Sequence, residues 1–138
     1  ERQVAERLAV GGERLTSGRR AVVRLLGRAD GPLAAAEIHR LLESVPLSSI
    51  YRTLTVLHDA GVVAPHHASG VTRYEIADWL AGHHHHVVCG ECGGVSDVVL
   101  PDELEASLEA LVGAVASQSG FIHDGHSLEV EGTCPACQ

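Results

Sequence analysis

The sequence predicts an α+β protein with an N-terminal winged-helix domain followed by a small α/β domain that carries a four-cysteine zinc site. Three observations lead there. Two pairs of the form Cys-x-x-Cys, Cys89 with Cys92 and Cys134 with Cys137, lie far apart, and His83, His84, His85 and His86 run directly into the first pair. Charge is divided along the chain: residues 1–73 hold all ten arginines against seven acidic residues, whereas the remainder holds eleven acidic residues and no Arg or Lys. Apolar spacing is helical through most of the first half and strand-like around both cysteine pairs.

Length and composition agree with two small domains. A chain of 138 residues suits one ordinary domain or two small ones. Its 45% apolar content is globular, but only 3% is aromatic, so the cores must be built from Leu, Val, Ile and Ala. A net charge of −8 argues against a nucleic-acid partner until its distribution is considered. A basic half joined to an acidic, metal-liganding half leaves a phosphate-facing surface on the first. No signal peptide or membrane-spanning stretch is visible, so a cytoplasmic location without a membrane partner is expected.

In chain order, residues 1–10 form a short amphipathic helix with charges at Glu1, Arg2, Glu6 and Arg7. Thr16 and Ser17 cap a second helix that runs to 28, with Val22, Val23, Leu25 and Leu26 facing inward. Asp30-Gly31-Pro32 stops it. A third helix spans 34–44, with Ile38, Leu41 and Leu42 at core spacing. After Pro46, Ser48 and Ser49 cap a fourth helix over 50–60, whose Ile50, Leu54 and Leu57 recur at i, i+4, i+7. Its opposite face carries Ser48, Tyr51, Arg52 and Thr55. Hydroxyls at a helix N-terminus bind phosphate, and Arg or Tyr reaches base edges in a DNA major groove. Together with Arg19 and Ser49 these are the candidate DNA contacts. Gly61 ends the helix, and 62–65 and 72–76 form a hairpin, the wing, around Ser69-Gly70. The plainer alternative is a helical bundle whose exposed face happens to carry Arg and Ser.

In the acidic half, 83–89 reads as a strand, because turn residues flank the histidine–valine run. Alternation then sends His83 and His85 to one face and His84 and His86 to the other, so the run is two ligand pairs, each needing its own partners. A second strand covers 95–100 and includes Asp97. Pro101 opens a helix to about 119, with Leu104, Leu108, Leu111, Val112 and Val115 as its apolar stripe and Glu105 and Glu109 one turn apart beside it. His126 precedes a last strand over 127–132 that delivers Cys134 and Cys137 to the first pair.

Four thiolates paired in this way close a tetrahedral zinc site of the structural kind, with no position open for chemistry. Disulfides suit a small secreted protein, and separate redox pairs are the other alternative. Glycines around Cys89 and Cys92 favour a metal knuckle, whose backbone must turn tightly to aim both sulfurs at one point. The histidines then have nothing to do at that site and remain free for a second metal. Being internal, four long and continuous with Val87-Val88-Cys89, they are not read as a purification tag.

The segments 14–20, 36–41, 47–54, 59–63 and 74–76, the histidine run with its cysteine pair, and 126–134 occur in one order. In these the chain resembles the ferric uptake regulator (Fur) family over essentially its whole length. The resemblance implies a homodimer that binds a palindromic double-stranded DNA operator when loaded with divalent metal and represses metal-homeostasis genes. It implies residues 1–77 as the winged-helix DNA-binding domain, 78–82 as a hinge and 83–138 as the metal-binding dimerisation domain. It also implies three sites. Cys89, Cys92, Cys134 and Cys137 match the structural zinc ligands. Glu75, His84 and His86 match a sensing site for a second divalent metal, Zn2+ or Fe2+, with Asp97 at a position some members use. His83, His85, Glu105 and His126 match a further site in the dimerisation domain. The helix from Pro101 is about a turn longer than usual in the family, so Glu109 competes with Glu105 for that ligand position.

The chain departs from the family's pattern in two places. Gly31-Pro32-Leu33 stands where iron- and manganese-sensing members commonly carry a histidine. Ala64 and Ala77-Asp78 stand in the neighbourhoods where zinc-sensing members commonly carry a hinge aspartate and a cysteine, and there is no fifth cysteine. The choice between iron and zinc stays open, with His85 and the all-nitrogen run leaning toward zinc. A peroxide sensor of the same fold and a zinc hydrolase using Glu75 or Glu105 as general base are the alternatives. The hydrolase suffers from the lack of an evident substrate pocket.

Overall fold

The computed structural model describes residues 1–138 in full. Helices α1 (Arg2–Val10), α2 (Ser17–Leu26), α3 (Ala35–Leu41) and α4 (Leu47–Asp59) are joined to a sheet of β1 (Leu33–Ala34), β2 (Val63–Ala68) and β3 (Val71–Ile76). A short helix α5 (Asp78–Ala81) leads into β4 (His85–Cys89), β5 (Val95–Val98), α6 (Asp102–Gln118) and β6 (Glu129–Gly132). The first sheet is antiparallel in the order β1-β3-β2. In the second, β4 is central, antiparallel to β5 and parallel to β6.

The first half folds around one core, because each helix turns a single apolar stripe inward. Leu8, Val22, Ile38, Ile50, Leu57 and Val62 are completely buried there, with Leu54 beside them. The hydroxyl of Thr16 accepts from the Arg19 amide and caps α2. Glu37 does the same service for α3, accepting from the Ala34 amide at 2.7 Å.

Several elements differ from their expected form. The strand β1 was not expected, because two residues carry no periodicity; it exists only because Leu33 and Ala34 pair with Tyr74 and Arg73. Helix α3 ends at Leu41, and Leu41 is 61% exposed instead of lying in the core. Helix α4 begins at Leu47 with Pro46 before it, so Ser48 and Ser49 sit in its first turn and cap nothing through their side chains. The proline supplies the entry instead: its fixed φ suits a helix start, and its carbonyl accepts from the Ser49 and Ile50 amides. The segment 78–82 is largely the helix α5, and it is anchored. The Trp79 indole donates to the Gly61 carbonyl at 2.7 Å, and the Arg7 guanidinium lies 5.1 Å over its ring.

The two sheets meet along β5. The Asp97 amide donates to the Asp30 carbonyl at 3.0 Å, and Gly31 passes so close to β5 that a Cβ there would sit 2.5 Å from the Val95 carbonyl oxygen. At the wing tip, Ser69 approaches Gly93 beside Cys92 in the same way, at 3.3 Å from the position of a Cβ. Helix α6 is different. Ala116 is its only buried residue, and Leu104, Leu111 and Val115 are each more than half exposed.

Gly31→Ala is therefore expected to push the two halves apart without unfolding either, since backbone, and not a movable side chain, opposes the new methyl. Small-angle scattering should show a larger radius of gyration at unchanged thermal midpoint. An unchanged radius would mean that the Gly31–Val95 approach does not hold the halves together.

Candidate metal centres

Three clusters of ligand atoms assemble around β4, each with its atoms within 4.8 Å of one another. The first joins the turn after β4 to the segment after β6. Cys89 and Cys92 meet Cys134 and Cys137 because β6 runs parallel to β4, with Cys89 opposite Gly132. The Cys92 and Cys134 sulfurs are 3.9 Å apart, far from a disulfide and near the ~3.8 Å that four sulfurs about 2.3 Å from one ion require. All four are free thiols. The Cys134 amide donates to the Cys89 sulfur at 3.3 Å, and this with further backbone donors brings the Cys89 thiol down to about 6. Cys137 is pushed up to about 12 by its hydrogen bonds to the Cys134 and Cys92 sulfurs. One thiolate forms readily and the last resists, as expected of four sulfurs that need a divalent cation to ionise together. The donor set fits zinc.

The second cluster joins the two halves. Glu75, on β3, places one carboxylate oxygen 3.2 Å from Nε2 of His84 and 2.8 Å from Nε2 of His86. Asp97, on β5, lies 4.0 Å and 3.7 Å from the same nitrogens. Nδ1 of His84 donates to the Gly82 carbonyl at 3.0 Å, which leaves the Nε2 lone pair of a neutral ring aimed at a carboxylate. Only a ring proton or a shared cation reconciles those groups. Burial pulls the His84 imidazole down, but the Gly82 and Glu75 hydrogen bonds and the charges of Glu75 and Asp97 outweigh it and raise it overall. Burial, with Glu75 beside it, lifts the Asp97 carboxyl above its usual range. Two imidazoles and two carboxylates fit Zn2+ or Fe2+.

In the third cluster, Glu105 on α6 reaches His83 at 3.2 Å, His85 at 2.9 Å and His126 at 3.0 Å, while Nε2 of His83 and of His126 lie 3.3 Å apart. The hydrogen bond from His85 leads the interactions that hold the Glu105 carboxyl below its ordinary value. His85 is 2% exposed. Alternation thus separates the histidines in space as in the sequence, although the strand begins only at His85.

Glu109 is absent from that cluster. It faces outward by one turn, where its Oε2 lies 2.9 Å from Nδ1 of His126 and its Oε1 accepts from Nε2 of His123 at 2.8 Å. Only the loop after α6 brings His123 to Glu109, and no local pattern marks it. His66 lies close to the second cluster but outside it, with its ring 4.4 Å from that of His86 and its Nε2 3.1 Å from Glu129. His67 is taken by the Thr72 hydroxyl at 3.0 Å.

Of the candidate DNA contacts, Ser48, Tyr51, Arg52 and Thr55 lie exposed along one side of α4, and Ser49 is half-buried. Arg19 does not join them. Its guanidinium pairs with Glu13 at 2.8 Å and with the Arg14 carbonyl at 2.6 Å, which occupies it within the fold.

A winged helix linked through a two-carboxylate, two-histidine cluster to a four-cysteine module defines a metal-dependent transcription regulator. The ferric uptake regulator family matches residues 11–131, and the chain belongs to that family. It is 31% identical to the ferric uptake regulation protein of Legionella pneumophila over 97% of this chain and 98% of that one. It is 32% identical to the zinc uptake regulation protein of Mycobacterium tuberculosis over 95% and 99%. The crystal structure of the Vibrio cholerae ferric uptake regulator superposes with a TM-score of 0.70 at 26% identity, covering 92% of this chain and 96% of that one. The chain is a regulator and not an enzyme, which removes the hydrolase alternative.

Cys89→Ser is expected to release the zinc of the thiolate cluster and loosen the pairing of β6 with β4, because Cys89 ties the end of β4 to the segment 134–137. Metal analysis with circular dichroism checks this. Full zinc content in the variant would rule out the four-cysteine assignment.

Proposed function

We propose that this chain is a cytoplasmic homodimeric repressor of metal-homeostasis genes that binds a palindromic DNA operator when loaded with Zn(II) or Fe(II). Residues 1–77 are the DNA-binding domain, 78–82 the hinge and 83–138 the dimerisation domain. Cys89, Cys92, Cys134 and Cys137 hold a structural zinc. Glu75, His84, His86 and Asp97 form the sensing site, and His83, His85, Glu105 and His126 a second site within the dimerisation domain. The observation that carries the reading is the position of Glu75. It is the one sensing ligand supplied by the winged half, and it reaches across the hinge to two histidines of the other half.

A cation bound there supplies the positive charge that lets two carboxylates and two imidazole lone pairs converge. The chain does the rest. Glu75 stands within reach of His84 and His86 only in the closed arrangement, so binding favours that arrangement over open ones. Glu75 lies in register with Ala64 on β2, and β2 follows the end of α4 by a few residues. A fixed Glu75 therefore fixes the direction of α4 relative to the dimerisation domain. In a two-fold dimer, this sets the separation of two α4 helices to match two half-sites.

The apolar stripe of α6 supports dimerisation. Leu104, Leu111 and Val115 recur at i, i+7, i+11, and a helix with one buried residue has little to hold it in an isolated protomer. For DNA, Tyr51 is 54% exposed, with Arg52 beside it on the N-terminal half of α4.

Arg52→Ala and Tyr51→Ala are each expected to weaken operator binding by about 1–3 kcal/mol while metal content and dimerisation stay unchanged. Anisotropy titrations at one fixed salt concentration decide it, and unaltered affinity in both would assign operator reading to another element.

His86→Ala is expected to abolish metal-dependent DNA binding while the dimer persists, whereas His85→Ala leaves a weaker but still metal-activated repressor. Mobility-shift assays across a zinc series, paired with sedimentation, separate the two. The opposite pattern would exchange the roles of the two histidine faces.

A further inference from the structure

Two side chains left over from the three clusters are joined to one of them. Glu109 follows Glu105 by one turn of α6 but turns away from His83 and His85. Its Oε2 lies 2.9 Å from Nδ1 of His126, and its Oε1 accepts from Nε2 of His123 at 2.8 Å. A carboxylate only accepts, so the His123 nitrogen that faces it carries a proton. With a cation in the cluster, His126 would keep its proton on Nδ1, toward Glu109, and turn its Nε2 lone pair inward, where Nε2 lies 3.0 Å from Glu105 and 3.3 Å from His83. His85 offers the contrast. Its Nδ1 is buried without any hydrogen-bond partner, so no group behind that ring helps Glu105 orient it.

We infer that Glu109 is a positioning residue for the His126 ligand, and that His123 in turn positions Glu109. The inference rests on the reading of His83, His85, Glu105 and His126 as a metal site. An outer carboxylate fixes the ring's orientation and makes its inner nitrogen more basic, and loss of such a group typically costs 10–100-fold in metal affinity. The same geometry divides the work of the two glutamates. Glu105 meets all three histidines of the cluster, and Glu109 meets only the outer nitrogen of one. His123 leaves the loop before His126 with a second tether to α6, so that loop is held at two points along the helix.

The test is a cobalt(II) titration of the full-length, zinc-loaded protein against a competing chelator. The visible bands lost in Glu105→Ala identify the site. Glu109→Ala is expected to keep those bands in position and number while the affinity falls about 10–100-fold. Glu109→Gln, whose amide oxygen still accepts from His126, should recover most of the loss. His123→Ala should cost less than Glu109→Ala and add nothing on top of it. Glu109 is exposed enough for circular dichroism to stay unchanged in each variant. Wild-type affinity in Glu109→Ala would overturn the inference. So would loss of the bands themselves, which would make Glu109 a direct ligand. If Glu105→Ala removed no bands, the metal site itself would fall, and the inference with it.

Discussion

Side-chain alternation along an extended backbone is the constraint on which this molecule depends. Four consecutive histidines on a helix would crowd one or two turns and serve one site poorly. On an extended segment they alternate, so His83 and His85 turn toward α6 while His84 and His86 turn toward β3. Each pair then meets an acidic residue from a different part of the chain: Glu105 on one side, Glu75 on the other. Because β4 is also the central strand of its sheet and ends in Cys89, one five-residue strand touches all three ligand clusters. A shift of one residue in its register would exchange the histidine faces and turn Cys89 away from its partners.

The coupling between halves is built around the even-numbered pair. Asp97 contributes twice: its carboxylate faces His84 and His86, and its amide donates to Asp30 in the winged half. Gly31 permits that approach, since any side chain would strike the β5 backbone. On the far side of the hinge, Trp79 ties α5 to the carbonyl of Gly61, just past the end of α4. The cluster of Glu75, His84, His86 and Asp97, the helix α5 and the α4 helix are therefore linked by short, mostly backbone-mediated contacts. Such contacts transmit a change of position with little slack, which is what a device that converts ligand binding into helix spacing requires.

The odd-numbered cluster is built for permanence. His85 is buried, His126 is nearly so, and Glu105 contacts every histidine of the group. It lies within the second half alone and fastens the start of α6, a helix that otherwise buries only Ala116. The apolar stripe of α6 is left outside, so the cluster orients an exposed apolar surface.

Much of this was legible in the chain. The Cys-x-x-Cys pairs, the alternating histidines and the charge division marked a basic helical half and a metal-rich α/β half, and the stripes of α2 and α4 located the core. These signals are local: spacing along the chain maps directly onto position along a strand or helix. What the sequence left open needed distant segments to meet. β1 exists only through pairing with β3, and Leu41 is exposed because α3 stops there. Arg19 is paired with Glu13, and α4 enters through Pro46 with no help from a serine cap. The choice between Glu105 and Glu109 is the clearest case. Both stand on one face of α6, a turn apart, and helical periodicity treats them alike. Only the rotation of α6 against β4, and the loop that returns through His123 and His126, sets one among the three histidines and the other behind them, because such distances depend on how elements pack and not on how residues are spaced.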